Sequence, residues 1–191
     1  MDVKEAIEKR RAYRSLEPIQ ITEEILTELG KAAQLSPSCF NNQPWRYVFV
    51  YEPDALRAMH EALSKGNAWA TRASMIIAVT SKKDADCVIK DRDFYYAFDT
   101  GMATAHLILR ATELGLVAHP IAGYSPSKTR EILGIPDDVD VLALVIVGKK
   151  SETINELLSE DQAKKEKQRP ERLGLEKIIH HNRFKVEGQG G

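Results

Sequence analysis

Residues 75–79 and 141–147 are continuous apolar runs without polar alternation. Their length and composition predict strands buried on both faces. Residues 46–51 predict a further strand. Val3, Ala6 and Ile7 share one face of a predicted helix over residues 2–11. A second helix is predicted after Thr22, a residue suited to an N-cap, with Ile25, Leu29, Ala32 and Ala33 on one stripe. Residues 54–64 read as helical. Ser125-Pro126 opens another helix, with serine as N-cap and proline in its first turn, and Gly134 closes it. Residues 97–115 are apolar nearly all round, with Asp99, Arg110 and Glu113 as the charges. A helix without a polar face is covered by a core or by a partner. Because helix 22–35 also needs cover, a subunit interface is expected here.

The chain has 191 residues, 43% of them hydrophobic and 29% charged, and a formal net charge of -1. These values predict one globular domain with a sizeable core. They argue against a nucleic-acid binder held by bulk charge. No apolar run approaches the ~20 residues that span a bilayer, and the first fifteen residues carry no signal-peptide apolar region. A cytoplasmic location is expected. Cys39 and Cys87 lie far apart without a CxxC spacing, so a disulfide is not expected, and Cys39 reads as a small buried thiol. Beyond Lys150 the chain becomes polar. Lys164, Lys165, Lys167, Arg169 and Arg172 precede returning apolar residues at Leu173, Leu175, Ile178, Ile179 and Phe184. Residues 150–184 are expected to lie across the domain or a second subunit, and residues 185–191 to be disordered.

Four segments carry candidate chemistry. Lys9, Arg10, Arg11 and Arg14 place four cations at a predicted helix end. Arg10 and Arg14 could converge on a phosphate through forked, charge-assisted hydrogen bonds, or serve only the helix dipole. The stretch from Pro37 through Ser38, Cys39, Asn41, Asn42 and Gln43 to Trp45 is dense in amides. Each amide offers a donor and an acceptor, as a flat heterocycle displaying both requires; the alternative is a polar turn that satisfies itself. Asn67, in Gly66-Asn67-Ala68-Trp69, either caps a turn or bonds a ligand edge. His119-Pro120-Ile121-Ala122-Gly123-Tyr124 either brings backbone N–H groups to a ligand or merely connects two helices. His180-His181 lacks carboxylate or cysteine partners and is a weak metal signal, so no metal is expected. P-loop, GxGxxG, HExxH and GxSxG motifs are absent.

In this order, the segments resemble the nitroreductase family of FMN-dependent oxidoreductases. Arg10-Arg11-Ala12-Tyr13-Arg14 is similar to the family's RRSxR phosphate motif. Residues 37–45 are similar to its PSxxNxQPW loop, and residues 120–124 to its PIxGF/Y segment. Arg172, with Leu175-Glu176 and the HHNRF ending, is similar to its basic C-terminal segment.

The resemblance implies an α+β three-layer sandwich, with a mostly antiparallel sheet flanked by helices, and an intertwined homodimer with FMN at the interface. It implies ping-pong reduction of nitroaromatic, quinone or similar acceptors by NADH or NADPH. Arg10, Arg11, Arg14 and Arg172 would hold the phosphate. Pro37, Ser38, Cys39 and Asn41 of the other subunit would line the dimethylbenzene and ribityl region. Gln43 and Asn67 would address the pyrimidine edge, and Pro120, Ile121, Ala122 and Gly123 the region of N5 and O4. The chain departs from the pattern at Ala12, which removes a hydroxyl donor but leaves a backbone N–H. Cys39 and Phe40 replace small or hydroxylated residues, and Ala122 stands where Glu is common. Similar folds host reductive dehalogenation and dehydrogenation, or flavin binding without turnover. Residues 81–96 show no clear long lid.

Overall fold

A computed structural model describes residues 1–184; the disorder expected for residues 185–191 lies outside the described residues. Its sheet comprises β1 (Leu16–Glu17), β2 (Trp45–Val50), β3 (Met75–Ser81), β4 (Val117–Ile121) and β5 (Asp140–Lys150), ordered β1-β5-β3-β2 with β4 also on β5. Every pairing among them is antiparallel. β5 organises the sheet. It holds β3 from Met75 opposite Val147 to Ser81 opposite Asp140, and its far end meets β1 at Lys149 and Lys150.

All seven residues of β3 are buried, as its unbroken apolar run predicts. Strand alternation sends Ile76 and Ala78 into one cluster with Met59, Trp69, Leu144 and Ile146. Met75, Ile77 and Val79 enter the other, with Leu29, Ala33, Ala103, Leu107 and Ala111. The second cluster lies under α2 (Glu23–Gln34) and α4 (Tyr95–Glu113). The first is covered by α3 (Pro53–His60), the 3-10 segment Lys65–Arg72 and α5 (Pro126–Leu133). The result is the expected α+β three-layer sandwich. Among the described residues no helix is long and apolar enough to cross a membrane.

Local signals set the helix ends. Thr22 Oγ1 accepts the Ile25 N–H at 3.3 Å, and Ser125 Oγ accepts the Lys128 N–H at 3.3 Å. Gly134 ends α5 in the left-handed region, at φ 63°. α1 covers Val3–Lys9. α4 buries Ala103, Leu107 and Ala111, while Phe98 on the same helix and Phe94 at its N-cap are exposed. A groove of about 450 Å³, lined in part by Gly101, Ala105, Ile108 and Leu142, runs beside it.

Two elements differ from the sequence expectation. Residues 119–121 are not a helix-to-helix connection; they complete β4. Pro120 is tolerated there because β4 pairs only with β5, so the missing N–H faces no second strand. The charged region after Ser159 contains α6 (Glu160–Lys167), fixed by a capping box between Ser159 and Gln162. After α6 the chain runs to residue 184 with only a 3-10 turn at Leu175–Lys177, and Leu173, Leu175, Ile178, Ile179 and Phe184 are exposed.

Candidate active site

A cavity of about 160 Å³ opens where α1 ends and the segment after α6 crosses it. Arg10, Arg11, Ala12, Arg14 and Arg172 line it, together with Lys165 and Arg169. The sequence shows Lys165 and Arg169 as part of a charge run; only the return of α6 to the N-terminus reveals that they join this cage. Backbone carbonyls fix several of these cations. Arg11 Nη2 donates to Lys165 O at 2.8 Å, and Arg169 Nη2 donates to Arg10 O at 2.9 Å and to Glu8 O. Glu166, buried behind them, accepts the N–H groups of Arg14 and Ser15 at 2.8 and 3.0 Å. Burial, and then the charges of Arg169 and Arg172, push the Arg10 guanidinium below its ordinary value. Five guanidiniums and an ammonium line the cavity and no carboxylate does. That donor set fits a phosphate monoester dianion.

A chain of contacts leads from the cage to the Ala122-Gly123 segment. The Arg14 guanidinium lies 5.9 Å from the centroid of Trp69, whose Nε1 donates to Asn67 Oδ1 at 3.1 Å. Asn67 Nδ2 in turn donates to Gly123 O at 2.9 Å. Gly123 leaves room at this crossing for two side-chain ends. A Cβ there would stand 2.5 Å from Asn67 Nδ2 and 2.6 Å from Ser64 Oγ. The His119 ring also stacks on Trp69 at 4.8 Å, with Nδ1 3.1 Å from Tyr13 O. Burial holds the His119 imidazole down at about 4, against the opposing effect of the Tyr13 carbonyl. Trp69 and His119 were not singled out from the sequence as site residues; both are apolar-packed groups that only the fold places beside Arg14. Ile121 is buried, whereas Pro120 and Ala122 are exposed.

The loop over residues 37–45 lies elsewhere. Phe40, Asn41 and Gln43 adopt φ values of 47°, 58° and 50°. Non-glycine residues pay about 1–2 kcal/mol for such a conformation, so the surroundings must hold it. Ser38 Oγ accepts the Gln43 N–H at 2.9 Å, Asp99 Oδ2 accepts the Cys39 N–H at 2.6 Å, and Ser81 Oγ donates to Pro44 O at 3.0 Å. Gln43 Nε2 donates to Asn41 O at 3.1 Å. Cys39 is disulfide-bonded to Cys87, which corrects the expectation of a buried free thiol. Sequence distance misled here. The loop and the segment after β3 converge, bringing the two Cα atoms to 6.0 Å despite a separation of 48 residues. Phe40 is 91% exposed. Among the described residues, no hydrogen bond, ion pair or ring contact joins this loop to the arginine cage or to Asn67 and Gly123.

The chain is 29% identical over 143 residues to a putative NADH dehydrogenase/NAD(P)H nitroreductase of Archaeoglobus fulgidus, covering 73% of this chain and 80% of that protein. It is 28% identical over 178 residues to an NADH dehydrogenase of Thermus thermophilus, covering 78% and 86%. A solved oxidoreductase containing FMN superposes with a TM-score of 0.83 at 28% identity, over 97% of this chain and 94% of the other. The sequence model of the nitroreductase family matches residues 7–149, spanning the arginine motif, the amide-rich loop and the Pro120–Gly123 segment, and the chain therefore belongs to that family.

Proposed function

We propose that this protein is an NAD(P)H-dependent FMN oxidoreductase, acting as a homodimer on nitroaromatic, quinone or similar small acceptors. The observation that carries the reading is the cage of five guanidiniums around a phosphate-sized cavity. It is linked through Trp69 and Asn67 to the backbone at Gly123.

Arg10, Arg14 and Arg172 hold the FMN phosphate, with Arg11, Arg169, Lys165 and the backbone at Ala12 closing around it. Asn67 and Gln43 address the pyrimidine edge of the ring. Ala122 and Gly123 offer backbone N–H groups toward N5 and O4, and the Pro120-Ile121 strand end positions them. Pro37, Ser38, Cys39 and Asn41 of a second copy complete the pocket. The separation of the loop from the cage within one chain supports this division, as does the apolar exposed side of α4. The exposed apolar residues between Leu173 and Phe184 lie on the second copy in the dimer.

Bound FMN supplies hydride acceptance and donation at N5, chemistry that belongs to the cofactor. This chain contributes binding, orientation and a fixed electrostatic environment. Cations at the phosphate anchor the cofactor, and donors at the ring edge favour its reduced, more anionic form. No side chain is assigned as a covalent nucleophile. Turnover is ping-pong, with the nicotinamide leaving before the acceptor enters.

An absorbance spectrum of the purified protein, followed without oxygen while NADH and then NADPH are added, tests the reading. Flavin bands near ~450 nm that bleach with either donor are the expected result. Bands that persist would reduce the protein to a flavin carrier or to a flavoenzyme with another reductant. No bands after FMN is supplied would overturn the assignment.

A further inference from the structure

The Cys39–Cys87 pair has a third member. A carboxylate oxygen of Asp86 and the two sulfurs all lie within 4.8 Å of one another. Asp86 is 7% exposed, and its carboxyl group hydrogen-bonds to the carboxyl of Asp99. Its Oδ1 takes a 3.3 Å hydrogen bond from Asn42 Nδ2, which also lies 3.7 Å from Cys87 Sγ. Asp99 is a second buried carboxylate here, held by the Cys39 N–H. Among the described residues no cation balances the pair. Lys82 is bound to Asp84 and Asp138, and Lys83 to Asp93. A buried carboxyl pair without a counter-charge is costly, and here Asp86 sits beside two sulfurs.

We infer that Cys39, Cys87 and Asp86 form a redox-gated site for a borderline-soft divalent cation such as Zn²⁺. In the oxidised chain the sulfurs are bonded to each other and cannot ligate as thiolates. Reduction breaks the S–S bond with two electrons and two protons. A small dithiol supplies the electrons and protons and is itself oxidised to a disulfide, or a trialkylphosphine supplies the electrons and takes the oxygen of a water, whose two protons go to the thiols, to become a phosphine oxide. Zn²⁺ then displaces the two thiol protons to solvent and gains two thiolates and the Asp86 carboxylate. Water completes a tetrahedron. Zinc–sulfur distances of about 2.3 Å and zinc–oxygen distances of about 2.0–2.2 Å need ligand atoms roughly 3.4–3.8 Å apart, which side-chain rotation provides once the sulfurs are released. The consequence is mechanical: disulfide and metal are alternative clasps holding the segment around Cys87 against the loop of residues 37–45. Cys39 is shared with the proposed flavin pocket, so metal content is measured on the FMN-free protein, where failure of the zinc site and failure of the flavin reading are distinguishable.

The protein is reduced anaerobically with tris(2-carboxyethyl)phosphine, desalted and counted for free thiols. It is then incubated with Zn²⁺ and desalted again against a weak chelator. Bound zinc and resistance of the cysteines to iodoacetamide are read together. The expected result is stoichiometric zinc in the reduced protein with both thiols protected, and none in the oxidised protein. Asp86→Asn should weaken retention by more than the ~tenfold that loss of an outer-sphere partner costs. Because Asp86→Asn leaves both cysteines in place, the oxidised variant reports folding by circular dichroism. Two free thiols without zinc or protection would overturn the proposal. So would a disulfide that resists reduction in the folded chain, or zinc that Asp86→Asn retains equally well.

Discussion

Glu166 Oε1 accepts the backbone N–H of Arg14 at 2.8 Å across 152 residues of sequence. Its other oxygen takes the Ser15 N–H at 3.0 Å. One carboxylate thus anchors α6 to the strand entry that carries the arginine cage. Glu166→Gln replaces one acceptor with an NH₂ facing an N–H donor. A loss of about 1–3 kcal/mol is expected, read as a lower urea midpoint with an unchanged slope. A wild-type midpoint would show that the tether is dispensable.

Arg14 contributes to the cavity and lies over Trp69. Arg14→Ala is expected to weaken FMN binding by about 1.5–3 kcal/mol, roughly tenfold to hundredfold in Kd, typical of a hydrogen bond to a charged group. Fluorescence titration of FMN into the cofactor-free protein measures it. An unchanged Kd would remove Arg14 from the phosphate site. Arg172→Ala serves as the parallel case from the C-terminal segment.

His119 gives a pH dependence of defined sign. Burial lowers its folded value from 6.5 to about 4, so between those limits the unfolded chain binds more protons. The stabilisation is complete above pH about 6.5 and is lost as pH falls toward 4. The loss relative to pH 7 is about 2 kcal/mol by pH 5 and about 3 kcal/mol by pH 4. Other carboxylates titrate in the same range, so the informative quantity is the difference between wild type and His119→Gln. That difference should shrink on acidification. Parallel stability curves would contradict a neutral buried imidazole.

The Cys39–Cys87 bond closes a loop of 48 residues. Loop-closure entropy for that length gives about 4 kcal/mol, the upper end of the usual range of about 2–4 kcal/mol for a disulfide. Cys87→Ser, compared with wild type under oxidising conditions and with a chelator present, should lower the unfolding midpoint accordingly. The difference should vanish once both proteins are reduced. Equal midpoints under oxidising conditions would mean the bond is not formed in solution.

The sequence by itself determined the elements whose signals are local. The runs at 75–79 and 141–147 gave buried strands because continuous apolar stretches of five and seven residues are costly to leave in water. Thr22, Ser125 and Gly134 set helix ends through bonds spanning three residues or a single left-handed turn. The arginine motif, the amide-rich loop and the Pro120–Gly123 segment were also legible, and through them the family.

Tertiary structure decided what depends on residues far apart in the chain. Pro120 argues locally against a strand, yet β4 forms because an edge position needs no donor on its open side. Lys165 and Arg169 read as a solvated charge run until α6 returns to the end of α1. Cys39 and Cys87 carry no spacing rule; their pairing exists only because the loop before β2 and the segment after β3 leave the same end of an antiparallel ladder, with Trp45 opposite Ser81. Composition and periodicity report what each segment must bury. Register and chain return decide which charged and sulfur-bearing groups then meet.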